Sequence, residues 1–340
     1  MNVVCANKAI NGGIILDLIQ SLEQKVTGKN YSIVFPEGTD PRILGAAVRL
    51  ASDGLIQPIV LGEQSAVEAV AKDKGFNLAK LTIRDPQTDA LLPEMAKAFF
   101  ERRNGKATEE QAEAMVKDPN YFGTMLVYMG KADGMVSGAV HSTADTVRPA
   151  LQIIKTRPGV SRTSGAFIMQ RGRDERYLFA DNAINIDPDA QTLAEIAVES
   201  AKTAKLFDID PKVAMLSFST KGSAKAPQVD KVVEATALAQ KLAPDLALDG
   251  ELQFDAAFVP TVAKLKAPES KVAGNANVFI FPDLQSGNIG YKIAQRLGNF
   301  EAIGPILQGL NKPVSDLSRG ANEEDVYKVA LITAAQNLID

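Results

Sequence analysis

Tryptophan is absent from the 340-residue chain, and cysteine and histidine occur once each, as Cys5 and His141. One cysteine can form neither an internal disulfide nor a thiolate zinc site, and Cys5, so near the start, is a poor candidate nucleophile. One histidine excludes a two-histidine metal centre and leaves any Ser/His/Asp triad dependent on His141. A basic surplus is also missing. Lys and Arg number 37 against 41 Asp and Glu, giving a formal charge of −4 and a pI near 5.4, so no general basic surface exists to hold a nucleic-acid backbone. Long apolar runs are lacking too: the stretch Ile14 to Ile19 is interrupted by Asp17, has no basic leader and is too short to span a bilayer. Neither an export signal nor a membrane segment is expected, and the reducing cytoplasm fits.

What the chain does contain is 46% hydrophobic and 23% charged residues with ordinary Gly and Pro counts of 25 and 17, the composition of a soluble globular protein. At roughly 150 residues per domain, its length predicts about two domains. Short apolar runs alternate with helical repeats, which predicts an α/β fold with mostly parallel sheet and helices on both faces. Expected strands are Tyr31 to Phe35, Pro58 to Leu61, Leu81 to Ile83, Gly134 to Val136, Ala166 to Met169, Tyr177 to Ala180, Val213 to Ser217, Leu246 to Leu248 and Val278 to Phe281. Expected helices are Pro41 to Ser52, Pro93 to Arg103, Glu109 to Lys117, Leu193 to Leu206, Gln228 to Leu242, Asn288 to Leu297 and Glu323 to Leu338. Thr39 or Asp40 would cap the helix that opens at Pro41. The arginine-rich stretch Arg157 to Arg176 is the expected crossing between domains.

No G-x-x-x-x-G-K-[ST] loop and no G-x-G-x-x-G after a strand is present, which disfavours P-loop hydrolysis and standard dinucleotide binding. Chemistry is instead expected in loops that follow strands, where open α/β sheets bind ligands. The first runs from Ser137 through His141, Ser142 and Thr143 to Arg148 and gathers amides, hydroxyls and a guanidinium suited to phosphate. Capping by Ser142 or Thr143 explains the same residues. A second loop, Ser217 to Lys225, offers Lys221 and Ser223 to an anion or to solvent. In the third, Asn322 can cap the last helix with Asp325 at its third position, while Gly320 allows Ser318, Arg319 and Asp325 to converge.

The chain resembles the phosphate acetyltransferases, also called phosphotransacetylases. The likeness rests on Ser137-Gly138-Ala139 with His141 and Thr146-Val147-Arg148-Pro149, and on Ser219-Thr220-Lys221-Gly222-Ser223-Ala224-Lys225. It extends through Asp249-Gly250-Glu251-Leu252-Gln253 with Asp255-Ala256-Ala257, Asn275-Ala276-Asn277-Val278-Phe279-Ile280-Phe281-Pro282-Asp283-Leu284 and Asp316-Leu317-Ser318-Arg319-Gly320. The resemblance implies reversible acetyl transfer between coenzyme A and inorganic phosphate to give acetyl phosphate, with coenzyme A as substrate, no tightly bound cofactor and no metal in the chemical step. It also implies two three-layer α/β domains around a cleft, an architecture shared with isocitrate and isopropylmalate dehydrogenases, in a homodimer. Residues 1–156 plus 306–340 would form the first domain and 157–305 the second.

By the same likeness Asp325 is the base for the coenzyme A thiol, and Ser318 and Arg319 stabilise charge on the acyl oxygen. Arg148 and Arg103 would match substrate-contacting arginines, with Ser142, Thr143, Lys221 and Ser223 as further binding candidates. Family members often carry a cysteine near the site; this chain has none beyond Cys5, which argues against a catalytic thiol. Rival readings are a butyryl-preferring phosphate acyltransferase, a non-catalytic acetyl-CoA-sensing module, and a decarboxylating dehydrogenase of the same architecture.

Overall fold

The structure, a computed structural model, describes residues 17–339. Cys5 and the opening of the Ile14 to Ile19 stretch lie outside the described residues. The chain begins with α1 (Leu18–Val26), β1 (Ser32–Phe35), α2 (Pro41–Ser52), β2 (Gln57–Leu61), α3 (Gln64–Lys74) and β3 (Thr82–Arg84). Then follow α4 (Leu92–Arg103), α5 (Glu109–Met115), α6 (Pro119–Tyr128), β4 (Gly134–Ser137), α7 (Thr143–Pro149) and a π-helical turn, Ala150–Ile154. The middle segment carries β5 (Ser164–Arg171), β6 (Glu175–Ala180), α8 (Ala190–Leu206), β7 (Lys212–Leu216), α9 (Pro227–Leu242) and β8 (Ala247–Leu252). Short α10 (Phe254–Phe258) and α11 (Pro260–Lys266) precede β9 (Val278–Ile280), α12 (Leu284–Leu297), β10 (Glu301–Gln308), β11 (Val314–Asp316) and α13 (Glu323–Ala335).

One five-stranded sheet has the order β11-β4-β1-β2-β3 and is parallel throughout. In β1 successive side chains face opposite ways. Ile33 and Phe35 pack into the core that holds Leu44 and Leu50 of α2 and Tyr327 and Leu331 of α13, whereas Val34 packs with Phe99 of α4 and Phe122 and Met125 of α6. All are essentially unexposed, and each such apolar side chain contributes about 1.5–3 kcal/mol. Asp40 caps α2 by accepting from the Arg42 amide at 2.9 Å, with Pro41 at the first helical position.

Strand order also decides where a ligand fits. From β1 the chain goes to β2 on one side, and from β4 it goes to the other, so the loops after β1 and β4 diverge and open a crevice at the strands' carboxyl ends. The six-stranded second sheet, β10-β5-β6-β9-β7-β8, is mixed: β5 runs antiparallel to both β10 and β6, and the remaining pairs are parallel. The stretch Arg157 to Arg176 is therefore no simple linker, because β5 and the start of β6 occupy its second half, and its charges at Arg171, Arg173, Asp174 and Glu175 mark a hairpin turn.

β10 is the strand that local sequence conceals. Gly304-Pro305 reads as a turn, and the strand absorbs it as a register shift between Ile303 and Ile306 at the sheet edge. The expected change of domain between residues 305 and 306 falls inside this strand. β11, three residues ending in Ser315-Asp316, has too little apolar pattern to signal itself. Helix α3 buries only Val67 and Ala71, and α6 is apolar almost all round, so neither shows a clear amphipathic period.

Helix α1 is tied to the end of α8: Lys25 reaches Asp208 at 2.7 Å and the Leu206 carbonyl at 2.5 Å, and the Ser21 hydroxyl also bonds Asp208. Tyr327 of α13 locks the other side. Its hydroxyl donates within 3.0 Å of both Glu23 and Asp53, Arg49 lies over its ring, and burial followed by these two carboxylates pushes its pKa up. Tyr327→Phe removes the shared donor and is expected to lower the unfolding free energy by about 1–2 kcal/mol in urea titration, with turnover unchanged.

Candidate active site

The crevice is organised by a carboxylate. Glu37 follows β1 directly, its side chain 2% exposed. Its oxygens accept from the backbone amides of Gly138 at 3.2 Å, Ala139 at 2.9 Å, and Val140 and His141 at 2.8 Å each, and from His141 Nδ1 at 2.8 Å. The loop after β4 is thus wrapped around an acid supplied by β1. A buried carboxylate is tolerated only with such partners, each charge-assisted bond contributing about 1.5–3 kcal/mol. The turn needs glycine at 138: φ is +118°, and a Cβ there would meet the Leu317 carbonyl oxygen at 2.5 Å.

Arg42 couples this loop to the one after β11. It is gripped by Asp40, at 3.0 Å through Nε and 2.8 Å through Nη2. It donates to the carbonyls of Ala139 at 2.9 Å, Arg319 at 3.0 Å and Ala321 at 2.8 Å. Although burial raises the Asp40 pKa, hydrogen bonds from Arg42 hold it below the usual carboxylate range. The Leu317 amide donates to the Ser137 carbonyl at 2.7 Å, and Thr143 donates to Asp316 Oδ2 at 2.7 Å. His141, Ser142 and Thr143 are therefore brought to the loop that carries Ser318 and Arg319.

Ser318 and Arg319 are exposed at that loop's tip. Asp325, half-exposed, forms the capping box of α13: its Oδ2 accepts from the Asn322 amide at 2.9 Å, while Asn322 Oδ1 accepts from the Asp325 amide at 3.0 Å. Capping engages Oδ2 and leaves Oδ1 for another partner. Ser142 likewise caps α7: its hydroxyl accepts from the Asp145 amide at 3.3 Å and donates to Asp145 Oδ2 at 2.6 Å. The Ser142 hydroxyl and amide draw the Asp145 pKa down, and Arg148 and His141 act in the same direction.

On α6 the Tyr121 hydroxyl donates to Gln152 at 3.0 Å. Burial raises the Tyr121 pKa, and the positive charges of Arg148 and Arg103 oppose the rise. Arg102 turns away, donating to the carbonyls of Ile153 at 2.6 Å and Ile154 at 3.2 Å. Lys221 and Ser223 belong to the second sheet and shape their own loop. Lys221 pairs with Asp249 at 2.5 Å and the Gly250 carbonyl at 2.7 Å, and Ser223 accepts from the Thr220 amide at 3.0 Å. Glu251 holds the same turn through the Gly222 amide at 2.7 Å and Ser219 at 3.0 Å.

Sequence reasoning missed Glu37, Arg42 and Asp316. The available signal was an acid in Pro36-Glu37-Gly38 immediately after an apolar strand; nothing local tells that its partners lie a hundred residues on. No group of three or more His, Cys, Asp or Glu placed to hold a metal ion occurs among the described residues. Hydroxyls, the Arg42 guanidinium, an imidazole and the carboxylates of Glu37, Asp40 and Asp316 gather at the switch point, an arrangement suited to holding and moving protons.

Fold and site together define a two-sheet α/β protein whose candidate site lies where the connections after β1 and β4 part. The model of the family described as phosphate acetyl/butaryl transferase matches residues 17–334, and the chain belongs to that family. It is 64% identical over 322 residues to the phosphate acetyltransferase of Bacillus subtilis strain 168, covering 95% of this chain and 99% of that protein. A phosphotransacetylase crystal structure from Streptococcus pyogenes superposes with a TM-score of 0.94 at 66% identity, covering 95% of this chain and 98% of that one. The fold alone is shared with a Salmonella typhimurium protein provisionally described as a 4-hydroxythreonine-4-phosphate dehydrogenase, at 12% identity and a TM-score of 0.51, covering 90% of this chain and 99% of that one. The dehydrogenase-like architecture implied by the family resemblance is thereby found.

Asp316 supplies a pH test. Burial raises its pKa, Thr143 and Thr146 partly offset this, and Glu37 adds to it. A carboxyl raised in the folded state loses its proton first in the unfolded chain, so its contribution to stability falls as pH rises above about 3.9. Asp316→Asn is expected to remove that decline: thermal melts should show the variant gaining on the wild type from pH 4 upward, with the difference vanishing in stronger acid.

Proposed function

We propose that the protein is a phosphate acetyltransferase, moving an acetyl group reversibly between coenzyme A and inorganic phosphate to give acetyl phosphate and, in reverse, acetyl-CoA. The observation that carries this reading is 64% identity along nearly the whole chain to an enzyme of that name, in a fold that sets Ser318 and Arg319 beside the His141 loop. In this account both substrates occupy the site together, coenzyme A binds as a substrate, and no cofactor is held tightly. Asp325 Oδ1, unused by the cap, accepts the thiol proton, the sulfur attacks the acetyl carbonyl, and Ser318 and Arg319 stabilise the oxyanion. A free carboxylate and a free thiol differ by roughly 4.6 pKa units, about 6 kcal/mol, so proton removal accompanies attack rather than preceding it. Arg148 and Arg103 hold phosphate groups of the substrates, Ser142 and Thr143 fix the loop between them, and Lys221 and Ser223 contact coenzyme A from the second sheet.

The reading extends to organisation. Residues up to about 156 together with the stretch carrying β11 and α13 form one domain, and the segment from β5 through β10 forms the other. The protein works in the cytoplasm as a homodimer, for which Ile289, Ile293 and Leu297, exposed along one face of α12, offer an apolar surface.

Purified protein given coenzyme A and acetyl phosphate should form thioester at full rate in the presence of a chelator and prefer acetyl over butyryl phosphate. Preference for butyryl, or no thioester from folded protein, contradicts the reading. Asp325→Asn separates base from cap, since asparagine still accepts the Asn322 amide: kcat should fall about 100-fold or more with KM and melting temperature nearly unchanged. Near-normal turnover would return Asp325 to capping alone.

A further inference from the structure

Acetyl transfer needs a second proton position, and the crevice holds a side chain for it. When coenzyme A attacks acetyl phosphate, the bridging oxygen departs with the electron pair of the broken carbon–oxygen bond. Expelled unprotonated it would leave as phosphate trianion, a poor leaving group, so a proton must reach that oxygen as the bond breaks. Asp325, engaged with the thiol at the other end of the reaction, cannot supply it.

We propose that His141 is the general acid and base for the phosphate oxygen, an inference that rests on the acetyl-transfer reading above. The ring is oriented by Glu37, 2.8 Å from Nδ1. Both Glu37 oxygens are occupied by backbone N–H groups of residues Gly138 to His141, so this acid acts only as acceptor and Nδ1 bears the ring hydrogen. Nε2 is left to exchange protons, on a side chain 30% exposed. A buried acid thus fixes the tautomer and aim of an imidazole, the division of labour seen in carboxylate–histidine pairs generally. Position agrees with role. Arg42 ties the Ala139 carbonyl to the carbonyls of Arg319 and Ala321, and Thr143 ties the helix after His141 to Asp316, so the loop that bears the ring is held against the loop that bears Ser318 and Arg319, and Arg148 lies on the helix that follows the ring.

The step balances. In the thioester-forming direction the sulfur–carbon bond forms, Asp325 takes the thiol proton, the carbon–oxygen bond breaks, and the departing oxygen takes the Nε2 proton to leave as hydrogen phosphate. Protonated Asp325 and neutral His141 then return to their starting states by proton exchange with water. In the opposite direction neutral Nε2 takes the proton of hydrogen phosphate as its oxygen attacks acetyl-CoA, and protonated Asp325 returns a proton to the departing sulfur.

His141 is the chain's one histidine, which makes a clean experiment possible. Wild-type enzyme, first shown to make acetyl-CoA from acetyl phosphate, is treated with diethyl pyrocarbonate, and imidazole modification is followed by its ultraviolet band. Activity should disappear in step with one modified histidine, phosphate should protect, and hydroxylamine should restore both. In parallel, His141→Ala should lose about 100-fold or more in kcat while the coenzyme A KM holds, and added imidazole should recover part of the loss in proportion to its concentration. Retained turnover after complete histidine modification, or an alanine variant with near-normal kcat, overturns the proposal while leaving the acetyl-transfer reading intact. Wild-type enzyme that forms no thioester defeats that reading itself, a result distinct from either.

Discussion

A single buried carboxylate joins the two strands between which the ligand crevice opens. Glu37 leaves β1 and gathers the amides of the loop that leaves β4, so the strands whose connections diverge are tied together at the place of divergence. Parallel sheets bind ligands at such places because the two loops part and leave backbone groups facing solvent. Here those groups are not left to solvent. Their amides point at an acid, which shapes the turn, places His141 and brings Ser142 to the start of α7.

The same device recurs in the second sheet. Asp181, following β6, accepts from the amides of Gly165 at 3.2 Å, Ala183 at 2.9 Å, Ile184 at 3.0 Å and Asn185 at 2.9 Å, and Glu251 near the end of β8 accepts from Gly222 at 2.7 Å. Each converts a loop that would otherwise carry unsatisfied amides into a fixed scaffold. Rigidity of this kind is what a transfer reaction between two bound substrates requires, since catalysis by positioning fails when the groups wander. Arg42 extends the scaffold from one loop to the next, and its guanidinium is spent on carbonyls and Asp40 rather than on substrate. Arg319 and Arg148, by contrast, are exposed to solvent.

Legibility in the sequence followed the range of the interactions involved. Helix α2 was readable to the residue because its cap, its first-turn proline and its apolar stripe are all local. The capping box of α13 was readable for the same reason, and so was the ambiguity of Asp325 between cap and base, because one carboxylate oxygen serves the cap and the other is free of it. β10 was hidden because a Gly-Pro step that signals a turn is absorbed by an edge bulge, something only the pairing with β5 reveals. Glu37 was hidden for a related reason: its meaning lies in amides a hundred residues away. Motif likeness pointed to Ser318, Arg319 and Asp325 as a set, but only the folded chain shows that Arg42 and Asp316 hold the loop of Ser318 and Arg319 against the one bearing His141.

The central claim is that Glu37 fixes the loop on which the site is built, and amide hydrogen exchange resolved to single residues tests it most directly. The amides of Ala139, Val140 and His141 should exchange as slowly as those of strand β4 in the wild type, and should approach the rate of the open turn at Gly28 in Glu37→Gln, where an amide group replaces one acceptor oxygen with a donor. Rapid exchange of those amides in the wild-type protein would contradict it.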